Sequence, residues 1–258
     1  MLHKAVLTLL AFLSGCILMA QTPCVNAIRG GVYSASGHSP LPFTSVRIRE
    51  KALQVYFRVR VELTGSSRTD AGVHALQNFF HFDLEGVEES EVVRAAYHLN
   101  AILPSDIAVN RIFGVGEEAH CRFDARWRAY QYTIYSKKDP FLEDRAYFFP
   151  YTLDKTILDE AAAIVLQTKD FQSFSKKRVQ VRHFLCDIFE SRWDIEGHSL
   201  IYKVRGNRFL RGMVRGLTGT MLRVGTGKLD MEEFRAVIAS GDPAKVDRKS
   251  TRLNSSHT

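Results

Sequence analysis

The chain has 258 residues, of which 45% are hydrophobic and 24% charged, and a formal net charge of +7. It is long enough to bury a sizeable core in one large domain or two smaller ones, and its composition is that of a globular protein. Cys16, Cys24, Cys121 and Cys186 form no Cys-x-x-Cys pair and have no histidines at zinc spacing, so a disulfide framework or a metal site is not expected.

There is no Walker-type loop and no dinucleotide fingerprint, so the chemistry is expected to use side chains alone, with no metal and no cofactor. The excess charge is local. Lys176 to Lys228 holds 12 Lys/Arg against 4 Asp/Glu, a net +8. Such a balance suits an anionic partner, most commonly a nucleic acid.

Residues 1–44 open with a basic start (His3, Lys4) and an apolar run from Ala5 to Ala20, the pattern of a secretory signal peptide. No period-two alternation marks a strand in this stretch. Ser45 to Phe57 reads as a helix with Val46, Leu53 and Phe57 near one face. Val59, Val61 and Leu63 alternate with charges, and Leu76 to Asp83 is an aromatic-rich apolar run. Both read as strands flanking the polar turn from Gly65 to Gly72. Ser90 to Leu103 reads as a helix capped by Ser90, with Val92, Val93, Ala96, Leu99 and Leu103 inward, and Ile107 to Val115 as a strand.

Tyr130 to Tyr135 alternates as a strand. Asp154 to Thr168 is a helix with Asp154 as N-cap and Ile157, Leu158, Ala161, Ile164 and Val165 inward. Phe184 to Trp193 and Ser199 to Arg205 read as strands joined by the turn-rich stretch from Asp194 to His198. Asn207 to Val224 reads as one helix capped by Asn207. Leu210, Val214, Leu217 and Met221 form its buried stripe, and Arg208, Arg211 and Arg215 line another face. Gly212, Gly216 and Gly219 weaken that helix by about 1 kcal/mol each relative to Ala, which points to the close approach of another backbone or a ligand there. Asp230 to Ser240 is a last short helix. The polar tail from Lys249 to Thr258 has no periodicity and looks like adapter sequence.

Three stretches carry a family resemblance. Gly-Ser-Ser-Arg-Thr-Asp-Ala-Gly-Val-His-Ala, residues 65–75, resembles the signature loop of the TruA family of tRNA pseudouridine synthases. The run from Arg122 to Ile134, which includes Arg-Phe-Asp-Ala-Arg, resembles that family's second motif. Gly-Asn-x-Phe-Leu-x-x-Met-Val-Arg, residues 206–215, resembles its third. The resemblance covers about residues 45–248, with the three motifs in the family's order.

The resemblance implies an α+β fold, with two split β-α-β (ferredoxin-like) halves forming one extended, mostly antiparallel sheet with helices on one face. The division is residues 45–115 with the catalytic loop and 116–248 with the basic RNA-binding helix. It implies an isomerase that converts uridine to pseudouridine in the anticodon stem-loop of tRNA, without a cofactor, acting as a homodimer in the cytoplasm. By resemblance Asp70 is the catalytic carboxylate, as nucleophile or as base. Tyr130 lies against the target base, Arg215 pairs with Asp70, and Arg68 holds the flipped nucleotide or fills its place in the stem. Lys176, Lys177, Arg178, Arg208 and Arg211 are expected to contact phosphates.

The family's opening strand, its Tyr-Asp-Gly turn and its closing strand are not readable in residues 1–44 and 249–258. Both ends are therefore expected to be poorly ordered or poorly packed, with residues 1–44 a non-family segment that comes from a frameshift or wrong start, a true signal peptide being the alternative, and the signal-like residues 1–20 judged artefactual. Two other classes compete: a non-catalytic RNA-binding protein of the same fold, and an exported lipoprotein suggested only by residues 1–20.

Overall fold

The computed structural model describes residues 2–10, 44–67, 73–85, 87–143, 145–176, 181–248 and 255–257. The chain divides between Ala125 and Arg126 into two compact units.

The first unit contains, in order, β1 (Leu2–Leu10), α1 (Thr44–Phe57), β2 (Thr64–Gly65), β3 (His74–Ala75), β4 (Gln77–Glu85), α2 (Glu89–Ile102) and β5 (Val109–Val115). Four strands form a sheet in the order β2-β4-β1-β5, with β1 antiparallel to both β4 and β5. Phe80, Phe82 and Leu84 alternate along β4 and so share one face. They form one core with Leu53 and Phe57 of α1 and Val92, Ala95 and Leu99 of α2, so both helices cover that face. Asn100 ties α2 to β5. Its amide donates to the Val109 carbonyl at 2.7 Å, and its Oδ1 accepts from the Val109 N–H at 2.6 Å.

The second unit contains β6 (Arg128–Tyr135), β7 (Tyr147–Phe148), α3 (Lys155–Gln167), β8 (Ile188–Glu196), β9 (Ser199–Gly206), α4 (Met213–Gly225), α5 (Met231–Ala239) and β10 (Ser255–His257). Strands β10, β6, β9 and β8 lie in that order, and β6 and β8 are both antiparallel to β9. Tyr132, Tyr202 and Trp193 line up across β6, β9 and β8 and are almost fully buried. Leu158, Ala161 and Val165 of α3 and Leu217 and Met221 of α4 complete this core. Asp154 caps α3 by accepting from the Thr156 and Ile157 N–H groups. Asp230 and Glu233 form a capping box on α5.

Several expectations are corrected. The largest concerns the chain ends. Leu2–Leu10 is not an unpaired leader but the strand between β4 and β5, paired over its length with β4. An apolar run of this length suits a signal core and an interior strand equally, and periodicity cannot separate them. At the other end, Ser255–His257 forms a strand beside β6, while residues 249–254 lie outside the described residues.

Val59 to Leu63 is not a strand. Arg58 turns the chain at φ 57°, the Leu63 N–H goes to Glu50 Oε1 at 3.3 Å, and only Thr64–Gly65 pairs with β4. Helix α2 begins two residues earlier than expected, with Glu88 in place of Ser90 at the cap position and no side-chain cap. Val93 faces outward, at 58% exposure, while Ala95 is buried. Strand β8 runs on to Glu196, leaving Gly197 and His198 as a two-residue turn. The fourth helix starts at Met213, not after Asn207.

Candidate active site

In the first unit the signature run starts at the end of β2 and ends in β3, just before β4. Arg68 and Asp70 lie outside the described residues; on either side, Ser66 and Val73 are buried. The start of the second motif is joined to the base of this loop. The Cys121 thiol donates to the Thr64 carbonyl at 3.1 Å, and the Cys121 N–H donates to His81 Nδ1 at 3.1 Å. His120 Nδ1 accepts from the Arg122 and Phe123 N–H groups at 3.2 and 3.3 Å, and Asp124 accepts from the His120 N–H at 2.6 Å. These bonds fold residues 120–124 into a tight turn held on β2 and β4. Nothing in the residue pattern foretold that Cys121 and His81 make this joint, since both would serve as ordinary sheet and loop residues.

The second unit holds the other residues singled out in the sequence. Tyr130 lies on β6 opposite Val204 of β9 and is half-buried. Its ring meets Phe209 edge-on at 4.8 Å. Phe209 is placed by Asn207, whose side chain does not cap a helix. Asn207 Nδ2 donates to Asp187 Oδ2, Oδ1 accepts the Asp187 N–H, and the Asn207 N–H donates to the Asp187 carbonyl, all at 2.9 Å. Arg128 adds a bond to the Asn207 carbonyl at 3.2 Å.

This knot holds the chain after β9, and residues 207–211 stay outside the helix. Gly212, at φ 76°, then turns the chain into α4, a conformation that favours glycine. Arg215 is the third residue of α4 and half-buried; Arg208 and Arg211 precede the helix instead of sharing a face with it. At Gly216 what comes close is side chains instead of a backbone: an added Cβ would meet Val246 Cγ1 at 2.8 Å and Phe174 Cδ1 at 3.3 Å.

Lys176 lays its aliphatic stem over Gly212, with Cε and Cγ at 3.3 and 3.4 Å from the position a Cβ would take. Arg208 reaches the His183 ring at 3.2 Å, and Arg211 is exposed. Lys177 and Arg178 lie outside the described residues. Three of the five expected phosphate contacts, Lys176, Arg208 and Arg211, therefore gather around the start of α4. The positive end of a helix dipole adds to their attraction for anions.

The cations of β8 and β9 behave differently. Arg192 pairs with Glu190 at 2.7 Å and Asp194 at 3.0 Å. Lys203 pairs with Asp194 at 3.0 Å and Glu196 at 2.8 Å, and Arg205 lies 3.7 Å from Glu190. Three cations thus offset three anions. Of the 12 basic and 4 acidic residues between Lys176 and Lys228, the remaining 9 against 1 carry the whole +8.

Burial pushes the Cys186 thiol up to about 11, against a weaker opposing pull from Arg208, so it is protonated at neutral pH. Among the described residues, no three His, Cys, Asp or Glu side chains are grouped to hold a metal ion, and no helix is long and apolar enough to cross a membrane.

Comparison with known proteins agrees with the motifs. Residues 161–253 match the family model described as tRNA pseudouridine synthase. The chain is 43% identical to the tRNA pseudouridine synthase A of Parabacteroides distasonis over 197 residues, which is 76% of this chain and 78% of that protein. It is 40% identical to the protein of the same name from Bacteroides fragilis over 197 residues, again 76% and 78% of the two chains. It is also 37% identical to that of Porphyromonas gingivalis over 230 residues, 88% and 91% of the two. The chain therefore belongs to the tRNA pseudouridine synthase A family, isomerases that convert uridine to pseudouridine.

Proposed function

We propose that this protein isomerises uridine to pseudouridine on the 3′ side of the anticodon stem-loop of tRNA, with Asp70 as its catalytic carboxylate and no cofactor. The observation that carries the proposal is the run Arg68-Thr69-Asp70-Ala71-Gly72, with Asp70 as its one carboxylate, in a chain 43% identical to a tRNA pseudouridine synthase A. The reaction breaks the N1–C1′ bond, turns the uracil and joins C5 to C1′. No redox change or external energy is needed.

Asp70 serves as nucleophile, as carboxylates do in glycoside chemistry, or as the base that removes a ribose proton. Arg215 pairs with Asp70 and keeps it ionised. Tyr130 stacks on the uracil, its ring steadied by Phe209. Arg68 takes the place of the extruded nucleotide or holds it, because chemistry on a base requires its removal from the stack. Lys176, Lys177, Arg178, Arg208 and Arg211 bind the phosphates.

The proposed fold is two split β-α-β halves sharing one extended sheet, with helices on one face and a basic cleft on the other. Residues 45–115 supply the catalytic loop and 116–248 the RNA-binding surface. Supporting it, the strands run in the order β2-β4-β1-β5 in one unit and β10-β6-β9-β8 in the other, each the order of a β-α-β-β-α-β unit. The enzyme works in the cytoplasm as a homodimer that holds one tRNA across both subunits.

The test is to incubate the protein with an unmodified tRNA transcript and map pseudouridine by carbodiimide labelling and primer extension. Stops confined to the anticodon stem-loop are expected. Tight tRNA binding with no pseudouridine would replace this reading with that of a non-catalytic RNA-binding protein.

A further inference from the structure

The loop that carries Asp70 is closed at its base by side chains that the mechanism does not use. Ser66 directly follows β2, and Asn78 is the second residue of β4. The Ser66 N–H donates to the Phe79 carbonyl at 2.8 Å, and its hydroxyl donates to Asn78 Oδ1 at 2.9 Å. The Phe79 N–H donates to Asn78 Oδ1 at 2.9 Å and more weakly to Ser66 Oγ at 3.3 Å. Ser66 and Asn78 are 6% and 3% exposed.

Asparagine is a poor strand former, and a buried polar group is tolerated only when hydrogen-bonded. A hydrophobic residue between Gln77 and Phe79 would serve the sheet better. The second tie, from Cys121 to Thr64 and His81, lies on the same two strands, one residue from the point where β2 ends. Backbone pairing of β2 with β4 covers two residue pairs, Thr64 with His81 and Gly65 with Phe80, and the Ser66 N–H bond to the Phe79 carbonyl extends it by one. So short a ladder leaves the loop's exit loosely set unless side chains fix it.

We propose that Asn78, through Ser66, and Cys121, through Thr64, are positioning residues that fix the stand of the signature loop and act on the reaction through Asp70 without touching substrate. The proposal rests on the reading of Asp70 as the catalytic carboxylate. Displacing a catalytic group by about 1 Å slows chemistry by up to about a hundredfold while leaving distant phosphate contacts intact. The signature is therefore a loss in the chemical step without a loss in tRNA affinity.

Single-turnover rates and tRNA dissociation constants, measured for Asn78→Ala, Asn78→Asp, Ser66→Ala, Cys121→Ala, Cys121→Ser and Asp70→Asn, test this. Asn78→Ala is expected to slow single turnover about tenfold or more with affinity within about twofold. Asn78→Asp keeps the acceptor oxygen and should recover most of the rate. Ser66→Ala combined with Asn78→Ala should lose less than the sum of the two single losses, since the Ser66–Asn78 bond is removed in each. Cys121→Ala should slow turnover, and Cys121→Ser, which still donates to the Thr64 carbonyl, should restore it. If Asn78→Ala fails to fold, Ser66→Ala and the cysteine pair decide the matter. Wild-type turnover in Ser66→Ala and Cys121→Ala, or a rate loss matched by an equal loss of affinity, overturns the proposal. An active Asp70→Asn would instead remove the reading of the loop itself, whatever Asn78 does.

Discussion

Arg49 is a charged residue at a site built for an apolar one. It lies on α1 at 3% exposure, its guanidinium 4.5 Å above the Phe80 ring, and its Nε has no hydrogen-bond partner. Burial lowers its pKa to about 10, opposed by the charge of Asp106. The folded-state value lies below the unfolded one, so the penalty acts at every pH below about 10 and is relieved only as pH rises past it. The contact with Phe80 returns about 1 kcal/mol or a little more, less than burying an incompletely bonded cation costs. Arg49→Met is therefore expected to stabilise the protein by about 1 kcal/mol or more, read as a rise in melting temperature at pH 7. A lower melting temperature would mean that the guanidinium is better satisfied than its hydrogen bonds suggest. Gly216→Ala has the opposite sign. Helix propensity favours Ala by about 1 kcal/mol, but a Cβ 2.8 Å from the stiff Val246 side chain overpacks the core at about 1–3 kcal/mol. A net loss of stability is expected in chemical denaturation.

At the scale of elements, the start of α4 shows what a sequence pattern can and cannot give. The stripe of Leu210, Val214, Leu217 and Met221 is buried as its spacing demands. The start of the helix was misplaced because Asn207 is as good a partner for Asp187 as it is a cap, and only the fold decides between them. Helices α3 and α5 were legible because their caps and apolar periods agree, as were β6 and β9 through strict alternation. Strand β1 was illegible because its apolar run lacks alternation, and the tie from Cys121 to Thr64 and His81 because it joins residues far apart in sequence. Gly212→Ala should strain the φ 76° turn by about 1–2 kcal/mol and lift the Lys176 stem from its seat. Weaker tRNA binding together with a lower melting temperature is the expected result; unchanged binding would place Lys176 off the RNA path.

For the molecule as a whole, charge and chain ends both lead to predictions. The ladder on β8 and β9 is neutral in sum, so the proposed RNA binding rests on the residues around the start of α4. Replacing Lys176, Arg208 and Arg211 singly by Ala should reduce the slope of log affinity against log salt by about one each. Lys203→Ala, on the ladder, should leave the slope unchanged. Deleting residues 2–10 should expose the facing edges of β4 and β5, seen as lost hydrogen-exchange protection in both strands. Full protection in the truncated chain would show that β1 is dispensable.

The most direct test of the central claim is tritium release from tRNA labelled at C5 of uridine, comparing the wild-type chain with Asp70→Asn. Forming the C5–C1′ bond expels the C5 hydrogen, so release reports the isomerisation itself. Wild type should release tritium, while Asp70→Asn should release none and still bind the tRNA, since phosphate contacts supply most of the affinity. Substantial release by Asp70→Asn, or none by the wild type, would contradict the assignment of Asp70 as the catalytic carboxylate of a pseudouridine synthase.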